Sequence, residues 1–273
     1  MIVALTGATG EIGGAIATGI SQHKHVSTLV LLVRDATRGE QIASKLRSST
    51  LSVEVALADL AKPASIVACA KVLREKFGRI DVLVNNAATV PTTRHEVDGI
   101  ETQFAVNVLS YFVLMRALLP SMPTGGRVVC VASNLAGGLD LDDLQSAKRP
   151  YNARATYSMT KQANRMIAAE AAAAGRGFRE AGVSVTSCHP GVVTSTLLQN
   201  LGFGSGFDTA AQGAALPLQL ALGPTEPTSG TFWSGGASGK VCEFGRDLPR
   251  RTALWEACEQ LAAARGAATG GGT

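Results

Sequence analysis

Six apolar runs that alternate with helix-like segments constrain the fold of this chain more than any other feature of its sequence. The run Leu29–Val33 reads Leu-Val-Leu-Leu-Val and contains no polar residue. Strands of this kind are buried on both faces, as in a parallel sheet that is covered by helices. Because parallel strands need helical crossovers, the repeated strand–helix units predict an α/β fold with a doubly wound parallel sheet.

The individual elements follow from the same pattern. The predicted strands are Ile2–Thr6, Ser27–Val33, Leu51–Leu57, Ile80–Val84, Gly126–Ala132 and Val183–Cys188. The predicted helices are Glu11–Ser21, Thr37–Arg47, Pro63–Phe77, Val97–Leu119, Ala155–Ala174, Thr209–Leu222 and Leu254–Ala262.

The length of 273 residues suits one α/β domain, which we predict to span residues 1–262. Residues 202–239 are rich in Gly, Ser, Thr and Pro. They form either a mobile, substrate-binding excursion over a pocket or an ordinary surface excursion. Residues 263–273 are rich in Ala, Gly and Thr, and we predict a disordered tail there.

The composition excludes several classes of protein. Hydrophobic residues make up 46% of the chain and charged residues 17%, which excludes a disordered chain. The net charge of +4 is spread along the sequence, and aromatic residues are only 5%, so no nucleic-acid partner is expected. A weak positive field favours an anionic small molecule, and no metal site is expected.

The cellular location is predicted from three further features. No stretch reaches 18 apolar residues, so no membrane span is expected. The first residues read as a strand that runs into a glycine turn, not as a signal peptide. The five cysteines lack paired spacing, and Cys130 and Cys188 lie in apolar runs as small buried hydrophobes. We therefore expect a reducing compartment and a cytoplasmic protein.

A glycine-rich turn follows the first predicted strand directly. It reads Thr6-Gly7-Ala8-Thr9-Gly10-Glu11-Ile12-Gly13. Glycines permit a tight turn and a close approach of the backbone to a pyrophosphate, and the helix that follows points free N–H groups at the charge. The turn predicts a dinucleotide-binding site, with a purely structural turn as the alternative. The expected contacts are Thr6, Gly7, Thr9, Gly10, Glu11, Ile12 and Gly13.

The end of the second predicted strand bears on which dinucleotide binds. It reads Val33-Arg34-Asp35-Ala36-Thr37-Arg38. An arginine here favours a ribose 2′-phosphate, whereas a carboxylate accepts hydrogen bonds from a ribose 2′-OH. Arg34 comes first and Arg38 lies close by, so NADP(H) is favoured over NAD(H). Asp35 would reverse that preference if it faced the ribose, and the two arginines would have no role if they were only solvated.

A tyrosine and a lysine four residues apart, Tyr157 and Lys161, share one face of a predicted helix. The free phenol has a pKa of about 10, and a nearby ammonium stabilises the phenolate. Such a pair can give a proton to a carbonyl oxygen, or take one from an alcohol, near neutral pH. The spacing alone occurs often by chance, so its context decides the interpretation.

That context consists of the glycine turn, Asn85-Asn86-Ala87-Ala88 and His189-Pro190-Gly191. With these motifs, residues 1–200 resemble the short-chain dehydrogenase/reductase family. The resemblance implies a Rossmann-type single domain that binds NAD(H) or NADP(H) and oxidises alcohols or reduces carbonyls. Its members often form homodimers or homotetramers, which would here involve Val97–Leu119 and Ala155–Ala174. The apolar positions of those helices could equally face the chain's own core.

The resemblance also implies roles for single residues. Tyr157 would be the general acid/base, Lys161 would hold the nicotinamide ribose and lower the pKa of Tyr157, and Ser133 would hydrogen-bond the substrate oxygen. Asn107 would support a proton relay through water, and Asp59 would contact adenine. His189 is interpreted as structural. The remaining cofactor contacts implied are Leu60, Asn86, Ala87, Ala88, Pro190, Gly191, Val192, Val193 and Ser195.

The sequence departs from the family pattern in two places. The glycine spacing, TGxxGxxG, is commoner in the extended branch of epimerases and dehydratases, although Asn85–Ala88 with Ser133 and Asn107 fits the classical branch. Ser133 and Tyr157 are 24 residues apart, roughly ten more than is common in the family. That insertion resembles the subgroup of retinol dehydrogenases, WW-domain oxidoreductases and protochlorophyllide reductase-like proteins, whose substrates tend to be bulky and apolar.

The sequence therefore predicts an NADP(H)-dependent oxidoreductase, a carbonyl reductase or alcohol dehydrogenase, that acts on a bulky apolar ketone or aldehyde. Two alternatives stay open. One is a dinucleotide-sensing regulator without catalysis, and the other is an epimerase or dehydratase of the extended branch.

Overall fold

The structure is a computed structural model that describes residues 1–235 and 239–267. Its strands, in chain order, are β1 (Ile2–Thr6), β2 (Thr28–Val33), β3 (Ser52–Leu57), β4 (Val82–Asn85), β5 (Glu96–Val97), β6 (Ile100–Glu101), β7 (Arg127–Val131), β8 (Ser184–Cys188) and β9 (Phe232–Trp233). The α-helices are α1 (Glu11–Ser21), α2 (Ala36–Leu46), α3 (Pro63–Phe77), α4 (Thr102–Phe104), α5 (Ser110–Leu118), α6 (Ala153–Ala171), α7 (Thr196–Asn200), α8 (Ala210–Leu222), α9 (Glu243–Arg246) and α10 (Leu248–Ala263).

Within the described residues, seven strands form one parallel sheet in the order β3-β2-β1-β4-β7-β8-β9. The six predicted strands are all present, and β9 is an addition that the sequence did not predict. The order reverses between β1 and β4, because the chain first winds outward to β3 and then returns to the other side of β1. Ligands bind at such a switch point, outside the carboxyl ends of the strands.

The sheet separates two hydrophobic cores. Ala4, Val128 and Cys130 face one core together with α3, α5, α6 and α10. Leu5 and Val129, their neighbours in sequence, face the other core together with α1, α2 and α8. Successive side chains of a strand point to opposite faces, so a strand between two helical layers must be apolar throughout. The continuous apolar runs in the sequence follow from this arrangement, and the predicted α/β Rossmann-type sheet is confirmed.

The predicted helix Val97–Leu119 is wrong at its start. An antiparallel hairpin of β5 and β6 takes its place, and Asp98 and Gly99 at the turn have φ values of 52° and 73°. Positive φ at both central residues defines the type I′ turn, for which Asp-Gly is a preferred sequence. The helix begins only at Thr102, where the Glu101 carboxylate accepts hydrogen bonds from the N–H groups of Gln103 and Phe104.

The segment that follows contains a π-helical turn at Ala105–Leu109 before α5 begins. One helical stretch, Thr102–Ser121, is long and apolar enough to cross a membrane by length and composition alone. It is largely buried against the sheet and α3, with 67% of its most apolar window inside the fold. Core helices of soluble proteins pass the same test, so the finding is weak evidence for a span.

The Gly-rich segment 202–239 proves to be mostly part of the layered fold. Helix α8 begins at a capping box of Thr209 and Gln212, and it packs on α1 with Leu216 and Leu220 buried. Strand β9 extends the sheet. Phe203, Ser205 and Phe207 of this segment line the large cavity, and residues 236–238 lie outside the described residues.

The predicted disordered tail begins too early. Helix α10 extends to Ala263, and Ala267 is buried against the core. The prediction for residues 268–273 concerns residues outside the part of the chain that the structure describes. Four of the five cysteines are buried, and Cys130 and Cys188 are buried small residues as predicted.

Helix α10 lies across α5 and α6, the two helices through which family members often associate. The ring of Trp255 meets Phe112 edge-on at 4.8 Å between centroids, and Glu170 on α6 forms ion pairs with Arg176 and Arg251. The apolar residues of both helices thus contact the chain's own core and its last helix.

Candidate active site

A cavity of about 990 Å³ lies along the carboxyl ends of the strands, at the switch point between β1 and β4. Its walls combine the glycine turn, the ends of β2, β3, β4 and β7, the segment after β8, two residues of α6, and the residues Val97, Thr102 and Val106. Most of the predicted site residues line this cavity. They are Gly7, Thr9, Gly10, Glu11, Ile12, Gly13, Arg34, Asp59, Leu60, Asn86, Ala87, Ala88, Ser133, Tyr157, Lys161, Pro190, Gly191, Val192, Val193 and Ser195.

The glycine turn leaves no room for side chains at two positions. Gly7 has a φ of 72°, and a Cβ there would lie 2.7 Å from the Cα of Ala87. A Cβ at Gly13 would lie 2.0 Å from the carbonyl oxygen of Gly7. Helix α1 starts at Gly10 with no side-chain cap, so its first N–H groups are free to bind an anion at the cavity wall. This arrangement fits the pyrophosphate of a dinucleotide.

Thr6, predicted as a cofactor contact, is buried beneath the turn and does not line the cavity. Its Oγ1 accepts hydrogen bonds from the N–H groups of Asn86 at 2.9 Å and Ala87 at 3.0 Å. The amide of Asn86 in turn donates to the Thr6 carbonyl oxygen at 3.1 Å. Thr6 thus joins the end of β1 to the end of β4 and supports the turn from below. Thr6 is covered because it is the last residue of β1, a central strand that has neighbouring strands on both sides.

The side chains after β2 separate into two directions. Arg34 and Arg38 are exposed and line the cavity. Asp35 caps α2, and its Oδ1 accepts a hydrogen bond from the Arg38 N–H at 3.1 Å. Asp35 is absent from the described lining of the cavity. The carboxylate that would favour a free ribose hydroxyl is therefore held at the helix start, whereas two cations border the cavity.

Two further parts of the predicted groove are held by local hydrogen bonds. Asp59, after β3, accepts from the Ala61 N–H at 3.1 Å and is joined to α3 through Ser65. After β8, the N–H of Val192 donates to Asp208 at 2.7 Å, and Ser195 caps α7. The side chains of both loops are thereby fixed before any ligand arrives.

The predicted catalytic pair lies on one face of α6 at the cavity. Burial raises the pKa of Tyr157 to about 12, although its hydrogen bond with Ser133 acts in the opposite direction. Burial lowers the pKa of Lys161 to about 8, and this side chain is only 1% exposed. The Lys161 Nζ donates to the Val131 carbonyl oxygen at 2.8 Å and lies 5.5 Å from the centre of the Tyr157 ring.

The pKa of Tyr157 is raised overall, contrary to the expected lowering, because burial is the largest influence on it. Burial disfavours the charged form of Lys161, and its Nζ donates a hydrogen bond to the main-chain carbonyl of Val131. Tyr157 is consequently protonated at neutral pH and is ready to act as an acid.

Asn107, the fourth predicted catalytic residue, lies in the π-helical turn and is fully buried. Its side chain accepts from the Thr89 N–H at 2.8 Å and donates to the Thr89 carbonyl oxygen at 3.0 Å. A π-helical turn often marks a functional site because it displaces the backbone hydrogen bonds locally. Asn107 therefore fixes the loop after β4 beside the cavity, and its side chain is absent from the described cavity lining.

The sequence did not identify the apolar end of the cavity. Tyr157 packs there with Val90 and Leu201, and Leu135 and Leu197 lie around them. Further apolar residues of the cavity wall are Val97, Val106, Leu198, Phe203 and Phe207. Phe207 is 91% exposed, which is unusual for so large an apolar side chain. These residues come from five separate segments. Only Phe203 and Phe207, two aromatic residues within a Gly/Ser-rich stretch, could have indicated an apolar site from the sequence.

His189 was interpreted as structural, but it lines the cavity. Burial lowers its pKa, and its Nδ1 is buried without a hydrogen-bond partner. In the described ranges, no group of three or more His, Cys, Asp or Glu side chains is placed to hold a metal ion.

Comparisons with known proteins are consistent across sequence and structure. The sequence profile of the short chain dehydrogenase family matches residues 1–203. A protein of Streptomyces sp. (strain C5) that is named as a daunorubicin C-13 ketoreductase is 32% identical over 266 residues, which cover 93% of this chain and 90% of that protein. Retinol dehydrogenase 12 of Mus musculus is 31% identical over 277 residues, which cover 95% of this chain and 86% of that protein.

Among solved structures, an uncharacterized protein from Mycobacterium paratuberculosis aligns with a TM-score of 0.77 at 27% identity, over 96% of this chain and 93% of its own. A short chain dehydrogenase from Burkholderia cenocepacia J2315, solved in complex with NADP, aligns with a TM-score of 0.68 at 21% identity, over 85% and 94%. The latter likeness concerns the fold alone.

Proposed function

We propose, from the premise that this chain belongs to the short-chain dehydrogenase/reductase family and is an oxidoreductase of CH–OH and C=O groups, that it reduces bulky apolar ketones or aldehydes with NADPH. The observation that carries this proposal is the position of Tyr157. Its protonated hydroxyl lies beside Ser133 at the point where the glycine-lined groove meets the apolar end of the cavity.

The residues present divide the chemistry between them. A bound nicotinamide would supply the hydride, and the glycine turn, Asp59 and the loop after β8 would hold the dinucleotide. Ser133 and Tyr157 donate hydrogen bonds to the substrate oxygen and so orient the carbonyl. Tyr157 then gives its proton to that oxygen, which completes an alcohol as the carbonyl carbon gains hydride.

The protonation state of Tyr157 suits carbonyl reduction. A phenol with a pKa of about 12 is a proton donor at neutral pH, which is what carbonyl reduction requires. The phenolate that remains is stabilised by the Ser133 hydroxyl, and we expect the Lys161 cation, 5.5 Å from the ring centre, to stabilise it further. Alcohol oxidation would instead require Tyr157 to be deprotonated first.

The substrate class is supported by the cavity wall and by the relatives. The wall around Tyr157 is formed by Val, Leu and Phe side chains, so a bulky apolar body is favoured over a charged one. Relatives that cover most of the chain are named for retinol and for the C-13 ketone of daunorubicin. We further propose that the protein works in the cytoplasm.

The proposed function is tested by following the loss of reduced-nicotinamide absorbance with two probes, all-trans-retinal and daunorubicin. We expect NADPH oxidation with at least one of them, and much slower oxidation with a small polar aldehyde such as glyceraldehyde. Absence of NADPH oxidation with any apolar aldehyde or ketone of a broad panel would contradict the proposal.

The pH dependence of the same assay reports on Lys161. Its pKa of about 8 means that the side chain is charged below that pH and neutral above it. Since the charge stabilises the phenolate formed on Tyr157, kcat/KM for reduction should be level below about pH 8 and fall above it. In Lys161→Met the residual rate should lack this break, and a break that persists would assign it to another group.

Cofactor preference is tested at Arg34. A charge-assisted hydrogen bond contributes about 1.5–3 kcal/mol, so Arg34→Gln should weaken NADPH binding about 10- to 100-fold. Binding of NADH, which lacks the 2′-phosphate, should not change. Titration of nicotinamide fluorescence measures both constants. Asp35→Asn is the matched control: because Asp35 caps α2, this change should alter the affinity for neither NADPH nor NADH. Equal losses of affinity for both cofactors in Arg34→Gln would contradict the role of Arg34 in binding the 2′-phosphate.

A further inference from the structure

Arg165 lies on α6 four residues after Lys161, so that Tyr157, Lys161 and Arg165 follow one another on the same face of the helix. The side chain is only 9% exposed. Within residues 1–235 and 239–267 no carboxylate lies at ion-pair distance from Arg165, although Glu243 interacts with its charge at longer range. Burial of an arginine without a carboxylate is unfavourable unless other groups compensate for the lost hydration.

Cys242 and Glu243 both favour the charged form of Arg165, and Cys242 does so partly through a side-chain hydrogen bond. Two further groups compensate by direct contact. The guanidinium carbon lies 3.6 Å from the centre of the Phe232 ring on β9, which is a close cation–π contact. The terminal nitrogen Nη2 donates a hydrogen bond to the main-chain carbonyl oxygen of Ser133. The Nε is buried and has no hydrogen-bond partner, so the hydrogen bond to Ser133 is the polar contact that the buried side chain makes with the active site.

Ser133 is the residue whose hydroxyl would orient the substrate oxygen, and it follows the end of β7 where no strand pairing holds it. Its Oγ accepts from the Leu135 N–H at 3.1 Å, and its carbonyl accepts from Arg165. The two hydrogen bonds restrain both sides of the residue and thus the direction of its Cβ. Hydrogen bonds to a charged donor are about twice as strong as neutral ones, which makes Arg165 the stronger of the two restraints.

We propose that Arg165 is a positioning residue that holds Ser133 in the geometry needed to orient the substrate carbonyl, and that β9 and α9 support this role by enclosing the guanidinium. The inference rests on the proposed function. Phe232 covers one side of Arg165, and Phe244 on α9 lies 5.7 Å away. The C-terminal part of the chain thereby contributes to the active site without touching the substrate.

The test compares Arg165→Met and Arg165→Lys with Arg127→Met. Arg127 is a matched control, because its guanidinium also donates to main-chain carbonyls, with Gly223 at 2.7 Å, but at the opposite end of β7. A misplacement of about 1 Å can reduce turnover about 100-fold, so Arg165→Met should lose about that much in kcat while its affinity for NADPH stays unchanged. Arg165→Lys should recover part of the loss, and Arg127→Met should keep the wild-type kcat.

A double variant separates positioning from general stability. If Arg165 acts through Ser133, then Arg165→Met should reduce kcat no further in a Ser133→Ala background. Losses that multiply in the double variant would overturn the inference, as would a kcat in Arg165→Met equal to that of Arg127→Met. If Arg165→Met does not fold, Arg165→Lys takes its place. Its kcat is then compared with that of Arg127→Met, and it is combined with Ser133→Ala to see whether the losses multiply.

Failure of the proposed function would be recognised separately. A wild-type protein that oxidises NADPH with none of the carbonyls would overturn the reductase proposal. The crystal structure of Arg165→Met, or of Arg165→Lys, would then decide about Arg165 without any turnover. A displaced Ser133 carbonyl supports the inference, and an unmoved one overturns it.

Discussion

Replacement of Tyr157 by phenylalanine is expected to reduce carbonyl reduction about 10²- to 10⁴-fold, the range that a positioned general acid contributes. The change removes one oxygen atom and leaves the ring among Val90 and Leu201, so the packing of the cavity wall is preserved. The proton that the substrate oxygen must receive then has no donor in the chain at that position. Steady-state kcat with NADPH and an accepted carbonyl measures the loss.

The same variant should bind NADPH almost as well as the wild type, because the glycine turn and Arg34 are unaltered. Tyr151→Phe is the matched control. Its hydroxyl donates to Glu101 at 3.2 Å and accepts from Gln103 at 2.8 Å, outside the described cavity lining, so turnover should be retained. Turnover that survives in Tyr157→Phe would contradict the acid role of this residue, and loss of NADPH binding would point to a structural role instead.

Alanine at Gly13 is expected to weaken NADPH binding about 100-fold or more, whereas alanine at the adjacent Gly14 should not. A Cβ at Gly13 would lie 2.0 Å from the Gly7 carbonyl oxygen and 2.7 Å from the Asn86 amide nitrogen. Since both neighbours belong to the turn and its support, the turn must shift and its N–H groups lose their direction. The loss of two charge-assisted hydrogen bonds to a pyrophosphate corresponds to at least about 100-fold in affinity.

Gly14 gives a strict control, because both glycines lie in α1 and the chemical change is the same. A Cβ at Gly14 would meet the Ala8 carbonyl oxygen at 3.5 Å, an ordinary contact. Alanine stabilises a helix interior by about 0.5–1 kcal/mol relative to glycine, so Gly14→Ala should melt at the wild-type temperature or slightly above it. NADPH titration and thermal melting without ligand measure the two effects. Equal NADPH affinities in the two variants would show that the turn is not the pyrophosphate site.

The layered sheet was predictable because its cause is local. A strand such as β2 lies between two helical layers, so every side chain must be apolar, and the sequence shows this directly. The hairpin at Asp98-Gly99 had a local signal as well, but the apolar residues of the following helix obscured it.

The site was predictable where its residues are near one another in the chain. The motif of the glycine turn lies within eight residues, and the Tyr157–Lys161 pair depends on one turn of helix. Their sequence spacing therefore identified the groove proposed to bind the dinucleotide and Tyr157, the proposed general acid. Thr6 was misplaced because its burial is decided by β4, which is separated from it by almost eighty residues.

What only the tertiary structure decided concerns contacts between distant segments. The apolar end of the cavity is assembled from Val90, Leu135, Leu201 and their neighbours, which share no pattern in the sequence. The desolvation that sets the pKa of Tyr157 and the hydrogen bond from Arg165 to Ser133 likewise depend on the packing around each group. Periodicity and spacing determine how a segment folds locally, whereas burial and electrostatic environment arise only when remote segments exclude water together.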